Sequence, residues 1–341
     1  MSTIRTEITE SASEQMQTML AGHFVSQCLH VAAVLGLADL IAQGSETIEQ
    51  IAQAAGCHQP SLNRLLTTLA SLGVFTRDAK GRFGLTPLGD TLRSDVQGSL
   101  RDKALFEIGE PVWSAWGSCL ASVRTGRPSF NQVHGATLWQ YLAQHSEIGA
   151  IFHRFMTAQS KLHNTALIES YDFSGIETLV DVGGGHGSTL AAVLAQYPTM
   201  RGILFDLPEV VASTEKLETS RFSDRCDVVG GDMLSSTLPT GDAYIIKRVM
   251  MDLTDDKAVR VLENCIAVMG SRSKILVIDP IIPEGTIPHR NRLVDLLMMN
   301  INGGQCRTKE QFRELFQESG LMLSRVVATP SPNSILEGCC L

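Results

Sequence analysis

Between residues 16 and 43 apolar side chains recur at helical spacing (Met19, Phe24, Val25, Leu29, Ala32, Leu35, Leu37, Leu40), with Gly36 interrupting the run. The pattern predicts a helix broken at that glycine. Residues 45–56 read as a shorter helix with a Ser/Thr start and a glycine stop, and Pro60 opens another that ends near Gly73. Two short extended runs, 74–77 and 82–86, flank Asp78-Ala-Lys-Gly81 and predict a hairpin. Two helices and a hairpin outline a winged helix. From 101 to 171 the pattern stays helical and rich in aromatic residues. Its character then changes to short apolar runs at 178–182, 202–205, 226–229, 243–246, 275–278 and 323–328, most of them separated by helices. That alternation predicts a doubly wound α/β sheet. The expected organisation is a winged-helix-like scaffold over 1–100, a helical connector over 101–170 that lines one side of a pocket, and the α/β sheet domain over 171–341.

A chain of 341 residues suits about two domains. With 44% hydrophobic and 19% charged residues it can build a sizeable core. The net charge of −8 argues against nucleic acid as the main partner, because phosphate binding relies on clustered cations. The charges of the winged-helix outline agree: Arg64, Arg77, Lys80 and Arg82 balance Glu46, Glu49, Asp78 and Asp90, and the second helix carries Arg64 alone. A helix entering the major groove needs more. The outline therefore reads as a scaffold for packing or dimerisation rather than as a DNA reader. The apolar stretch 28–42 contains His30 and Asp39 and is too short for a membrane span. The first residues, with Glu7, Glu10 and Glu14, lack an apolar signal core. The eight cysteines are scattered without a CxxC pair or a histidine at metal spacing. They predict reduced thiols, no metal and a cytoplasmic setting.

Chemistry concentrates in Leu179-Val-Asp-Val-Gly-Gly-Gly-His-Gly187, a strand that runs into a glycine-rich turn and then a helix. Such a turn lets a ligand approach the helix N-terminus closely. The next strand ends at Asp206-Leu207, where a carboxylate can bind both hydroxyls of an adenosine ribose. The third ends at Asp232-Met233, an acid and an apolar residue suited to an adenine amine and ring. A dinucleotide fingerprint starting at Gly183 requires glycine at 188, where this chain has Ser188. The shorter form Asp181-Val-Gly183-Gly-Gly185-His-Gly187 fits S-adenosylmethionine (SAM), which has no pyrophosphate.

Over nearly its whole length, from about residue 15 onward, the chain resembles the SAM-dependent O-methyltransferases of the caffeic acid and hydroxyindole type. The resemblance rests on Ser122-Val-Arg-Thr-Gly-Arg-Pro128, His134-Gly135, Tyr171-Asp-Phe-Ser-Gly175, the glycine loop and Leu204-Phe-Asp-Leu-Pro208. It continues through Lys247-Arg-Val249, Asp295-Leu-Leu-Met-Met299, Gly303-Gly304 and Arg307-Thr308. It implies a Rossmann-like class I methyltransferase domain behind a winged-helix dimerisation domain, and an intertwined homodimer. It also implies SAM contacts at Gly183, Gly185, Asp206, Leu207, Asp232, Met233 and Lys247. The acceptor is then a small aromatic, heteroaromatic or polyketide-like metabolite, in a pocket that includes Trp113, His134, Phe152, Phe155, Met156 and Met298.

The family's catalytic block departs from its usual form. The family commonly has leucine-histidine-aspartate-tryptophan there, the histidine taking the acceptor's proton; here Met251 stands at the histidine's place, followed by Asp252. Of the two supporting acids, one is the shorter Asp279 and the other is Cys306. A general base contributes about 10²–10⁴-fold, whereas alignment supplies about 7–11 kcal/mol, so methyl transfer survives its loss when the acceptor is acidic or already nucleophilic. O-transfer follows the family, and the missing histidine brings C- or N-transfer into play. His134, His153, His163 and Asp252 are the candidate replacements, although structural duty is the simpler reading of each histidine. Two further readings stay open: a SAM-binding enzyme that uses the cofactor's charge for a dehydration, hydroxylation or pericyclic step, and a winged-helix DNA-binding regulator, which the sparse cations disfavour.

Overall fold

The computed structural model describes residues 11–212 and 218–340, and packing divides the chain between Trp113 and Ser114. Glu7 and Glu10, read above for a signal core, lie outside the described residues. In the N-terminal unit α1 (Ala12–Val34) starts from a capping box in which Ser11 and Glu14 each bond the other's backbone N–H. Gly36, at φ +62°, turns the chain into α2 (Leu37–Ala42). A second capping box, Thr47 with Gln50, opens α3 (Ile48–Ala55), and Pro60 lies in the first turn of α4 (Gln59–Ser71). β1 (Phe75–Arg77) and β2 (Phe83–Leu85) close the antiparallel hairpin. Leu37, Ile51, Leu66, Leu69 and Phe75 fill the core between these elements, while α1 leaves Met16, Met19, Leu20 and Phe24 exposed.

The second unit carries a seven-stranded sheet of order β5-β4-β3-β6-β7-β9-β8. Its strands are β3 (Thr178–Val182), β4 (Arg201–Asp206), β5 (Cys226–Gly230), β6 (Ala243–Lys247), β7 (Lys274–Pro280), β8 (Leu321–Ala328) and β9 (Asn333–Cys340). The first five pair in parallel, and β9 runs antiparallel between β7 and β8. The central strands are almost wholly apolar because helices cover both faces. Val180, Val182, Tyr244 and Ile246 pack on one face, and Leu179, Ala243 and Ile245 on the other. By the two-residue period Asp181 and Lys247 share the second face, and the register sets Asp181 opposite Ile245. Two charged groups are thereby brought together at the carboxyl edge, where the strand order reverses and such sheets bind ligands.

The sheet differs from the sequence reading at one edge. β8 begins at Leu321 rather than 323, and β9 was not expected. Its polar start and paired cysteines hide a strand whose ladder with β7, from Asn333 opposite Pro280 to Cys339 opposite Lys274, is supplied from outside the segment.

Candidate active site

β3 runs into the glycine loop and then the helix Ser188–Gln196. Gly183, Gly185 and Gly187 take φ values of +70°, +60° and +75°, where a side chain is costly. A Cβ on Gly184 would come within 2.5 Å of Leu204 and 2.7 Å of the Asp181 carboxylate, and one on Gly183 within 2.8 Å of Val249. At Gly185, by contrast, a Cβ would meet no protein atom within 4 Å. The loop is therefore packed tightly on the sheet side and open on the other, towards a cavity of about 350 Å³.

The successive strand ends line that cavity. Asp206 accepts the N–H groups of Gly185 and Leu207, both at 2.7 Å, and each carboxylate oxygen keeps lone-pair capacity for another donor. Asp232 accepts the Leu234 N–H at 2.9 Å and the Ser235 hydroxyl at 3.0 Å, which fixes the turn carrying Met233. Lys247 donates through Nζ to Asn164 Oδ1 at 2.8 Å and to Thr189 Oγ1 at 3.0 Å. Asp181 Oδ2 is buried and, among the described residues, has no hydrogen-bond partner. Burial pushes the Asp181 carboxyl up and the Lys247 ammonium down, and their mutual attraction opposes both movements.

The facing wall is apolar and aromatic. Trp139 comes from the helix Leu138–Gln144, and Phe152 and Met156 from the helix Ser146–Ser170. The Trp139 and Phe152 rings meet edge to face with centroids 5.8 Å apart. Between the two walls the chain leaves β6 through Arg248, which has φ +55° although it is not glycine. This turn sends Met250 and Met251 into the core, 0% and 2% exposed, and leaves Arg248 and Asp252 lining the cavity. Asn302 donates to Asp252 Oδ1 at 2.7 Å and accepts the Gly304 N–H at 3.0 Å. Burial lifts Asp252 to about 6, against the opposing pull of Arg248 and the Asn302 bond.

The cavity thus brings together Gly183, Gly185, Asp206, Leu207, Asp232, Met233, Lys247, Asp252, Phe152 and Met156. The other predicted residues do not line it. Met251 is buried, and its N–H donates to Asp279 Oδ2 at 2.9 Å, so Asp279 serves the turn from behind. Cys306 is buried, and its thiol is pushed up to about 12, first by burial and then by Asp279 and Asp295, which leaves no thiolate nucleophile near neutral pH. His134 lies 3.2 Å from the Ser114 hydroxyl and packs on Phe130 and Tyr141. Phe155 is core, Met298 backs Asn302 through a 3.8 Å contact at sulfur, and Trp113 ends the N-terminal unit. Of the candidate bases, His163 is buried and held down near 4 by burial and by Arg248, Lys247 and Arg290, whereas His153 does line the cavity. Sequence reasoning missed Trp139, Arg248 and Asn302 as site residues. Arg248 stood inside a motif already noted; the other two carried no local signal.

Residues 116–322 match the O-methyltransferase domain family, and residues 17–95 match the O-methyltransferase dimerisation domain. The chain is 39% identical to the phenazine O-methyltransferase PhzM of Lysobacter antibioticus over 94% of each protein. It is 32% identical to the phenazine-1-carboxylate N-methyltransferase of Pseudomonas aeruginosa, over 94% of this chain and 95% of that one. A solved structure of an O-methyltransferase from neocarzinostatin biosynthesis, with S-adenosyl-L-homocysteine and 1,4-dihydroxy-2-naphthoic acid, superposes with a TM-score of 0.80 at 31% identity, covering 93% of this chain and 96% of that one. The chain belongs to the O-methyltransferase family and is a SAM-dependent methyltransferase that carries the family's dimerisation domain at its N-terminal end.

Proposed function

We propose that the cavity holds SAM along the carboxyl edge of the sheet and a small aromatic acceptor against Trp139, Phe152 and Met156, and that the enzyme methylates an oxygen of that acceptor. The observation that carries this reading is that the glycine loop, the aromatic wall and the Asp252 carboxylate all line one cavity. The residues present fit the cofactor. Asp181 Oδ2, buried without a partner, suits an ammonium group, and the open side of Gly185 leaves room that a side chain would fill. Asp206 retains acceptor capacity for ribose hydroxyls, while Asp232 and Met233 offer an acid and an apolar surface to adenine, with Lys247 buried at the base of the cavity. Bound there, SAM supplies a methyl group already activated on a sulfonium.

The chain itself supplies orientation and a proton acceptor. The aromatic wall holds a planar ring and excludes water from it. Asp252 takes the hydroxyl proton on Oδ2, because Oδ1 is held by Asn302. With the carboxyl at about 6 it is mostly ionised at neutral pH. A nitrogen acceptor is the second reading, favoured by Met251 in the histidine's place; the phenazine-1-carboxylate N-methyltransferase shows that a relative works on nitrogen.

The enzyme acts as a homodimer in this reading. The exposed α1 side chains Met16, Met19, Leu20 and Phe24 form an apolar surface within the segment matched by the dimerisation domain, or one residue before it. A cytoplasmic setting is part of the same proposal, in keeping with cysteines scattered along the sequence without a CxxC pair. Among the described residues no helix is long and apolar enough to cross a membrane.

The test is incubation with SAM and a panel of phenols, hydroxynaphthoates and amino-substituted rings, followed by mass spectrometry. S-adenosylhomocysteine and a methyl ether are the expected products, and a methylamine marks the nitrogen reading. Tight SAM binding with no S-adenosylhomocysteine from any acceptor, while an acceptor is converted, would replace methylation by the non-methylating reading.

A further inference from the structure

Asp181 and Lys247 are two buried, opposite charges that do not meet. They share one face of the sheet on neighbouring strands, and the register sets Asp181 opposite Ile245, two residues before Lys247. Standard strand spacing puts their Cα atoms about 8 Å apart, within reach of the lysine's four-carbon stem. Each would gain by pairing, because an unpaired buried ion is costly. Yet among the described residues no hydrogen bond joins them, and Asp181 Oδ2 is left bare. The lysine is held instead by Asn164 and Thr189, both buried. Asn164 can do this in one orientation only. Its Nδ2 donates to the Ser188 carbonyl at 3.0 Å and to the Ser188 hydroxyl at 3.2 Å, and a carbonyl can only accept. Its Oδ1 therefore faces the ammonium, which can only donate, and takes the Thr189 hydroxyl at 3.1 Å as well. Both ends of the amide are engaged. They tie the helix Ser146–Ser170 to the first turn of the helix behind the glycine loop.

We propose that Asn164, with Thr189, holds the Lys247 ammonium away from Asp181, so that this carboxylate stays open to the ammonium group on the amino-acid end of SAM. The inference rests on the seat proposed above for that group and gives Asn164 a positioning role in it. Two cations compete for one acceptor. A lysine released from Asn164 would settle on Asp181 Oδ2 and close the seat with an internal ion pair, which the cofactor would then have to displace. The two polar side chains keep that partner off the carboxylate, and Asp181 Oδ2 stays unsatisfied until the ligand arrives.

The test is calorimetric binding of S-adenosylhomocysteine and of its deamino analogue 4-(adenosylthio)butanoate, which lacks only the amino group. The wild type is expected to favour S-adenosylhomocysteine by about 10- to 100-fold, the range of a hydrogen-bonded charge pair. In Asn164→Leu that preference should fall to within about threefold of one, while the analogue binds as it does to the wild type. Thr189→Val, an isosteric change, should move the preference in the same direction by less, and it repeats the comparison should the leucine variant fail to fold. In a Lys247→Met background no competing cation remains, and Asn164→Leu should then change S-adenosylhomocysteine binding by less than about threefold. A merely structural asparagine predicts otherwise: both ligands weaken alike, and by the same factor with or without Lys247. Either result overturns the proposal. A wild-type preference that survives in Asn164→Leu and Thr189→Val removes the role of Asn164 and leaves the seat at Asp181 standing. Equal binding of the two ligands by the wild type removes the seat itself, and the proposal with it.

Discussion

Replacing Asp252 by asparagine tests the proton acceptor directly. The substitution keeps the size of the side chain, and its amide oxygen can still accept from Asn302, whose bond to Oδ1 is 2.7 Å. What is lost is the proton affinity. A phenol with pKa about 10 gives its proton to a carboxylate at about 6 only uphill, by about 5 kcal/mol, so in the proposed mechanism Asp252 accepts the proton as the hydroxyl oxygen forms its new bond rather than beforehand. Loss of such a positioned base costs about 10²–10⁴-fold in kcat. In the wild type kcat/KM should climb with pH and level off above about 6, where Asp252 is ionised. The asparagine variant should lack that rise.

Stability supplies an independent signature with the opposite sign. The folded-state carboxyl lies above its ordinary value of 3.8, so the folded protein binds the proton more tightly than the unfolded chain. That contribution is fully present below about 4 and is lost as pH rises to about 6. Above pH 6 the asparagine variant should therefore be more stable than the wild type, by at most about 3 kcal/mol because cavity water screens the charge, and the gap should close near pH 4. Activity is read from S-adenosylhomocysteine release across pH 5–9 and stability from denaturant unfolding. A variant that keeps its kcat within threefold and retains the wild-type pH profile would refute Asp252 as the base.

Further substitutions probe the turn, the glycine loop and the exposed face of α1. Gly304→Ala places a Cβ 2.1 Å from the Met251 carbonyl oxygen; it should cost about 1–3 kcal/mol in thermal unfolding and lower kcat by displacing Asn302, and an unchanged melting curve would contradict the close approach. In the glycine loop, Gly184→Ala should lower the stability of the unliganded protein through its 2.5 Å clash with Leu204, whereas Gly185→Ala should chiefly weaken SAM binding in calorimetry, since only φ and open space are at stake there. On α1, Met19→Asp with Phe24→Asp should shift the protein to a monomer in light scattering, because both side chains lie on the exposed apolar surface; a persistent dimer would move the interface elsewhere.

The parallel strands and the glycine loop were readable in the sequence for the same reason. Strands buried on both faces are nearly continuous apolar runs, and a tight turn at a strand end needs its glycines at set positions. β9 was not readable, since a segment with Ser334, Glu337 and Gly338 becomes a strand only through its ladder with β7. The aromatic wall of the cavity, where the acceptor is proposed to bind, was half readable. Phe152 and Met156 belong to one long helix with a visible period, but Trp139, on a helix of seven residues, reaches the cavity only through the packing of two helices. Which way residues 248–252 face was beyond any periodic rule, because it turns on one positive φ at a residue that seldom adopts it.

In the proposed mechanism that turn also accounts for a site without the family histidine. Its backbone is held by groups that do not depend on the side chain at 251. Arg307, with no exposure, donates to the carbonyls of Met250 at 2.7 Å and Leu253 at 2.9 Å; Asp279 accepts the Met251 N–H; and Gly304 packs against the Met251 carbonyl. The presentation of Asp252 therefore survives the exchange, while residue 251 faces the core. Met251→His should consequently fold and bind SAM but not raise kcat/KM for a phenol, because a ring in that 2% exposed position is cut off from the cavity and burial disfavours its charged form. A gain of tenfold or more, with a new titration near 6.5, would mean that the imidazole swings into the cavity and that the turn is less rigidly held than its hydrogen bonds require.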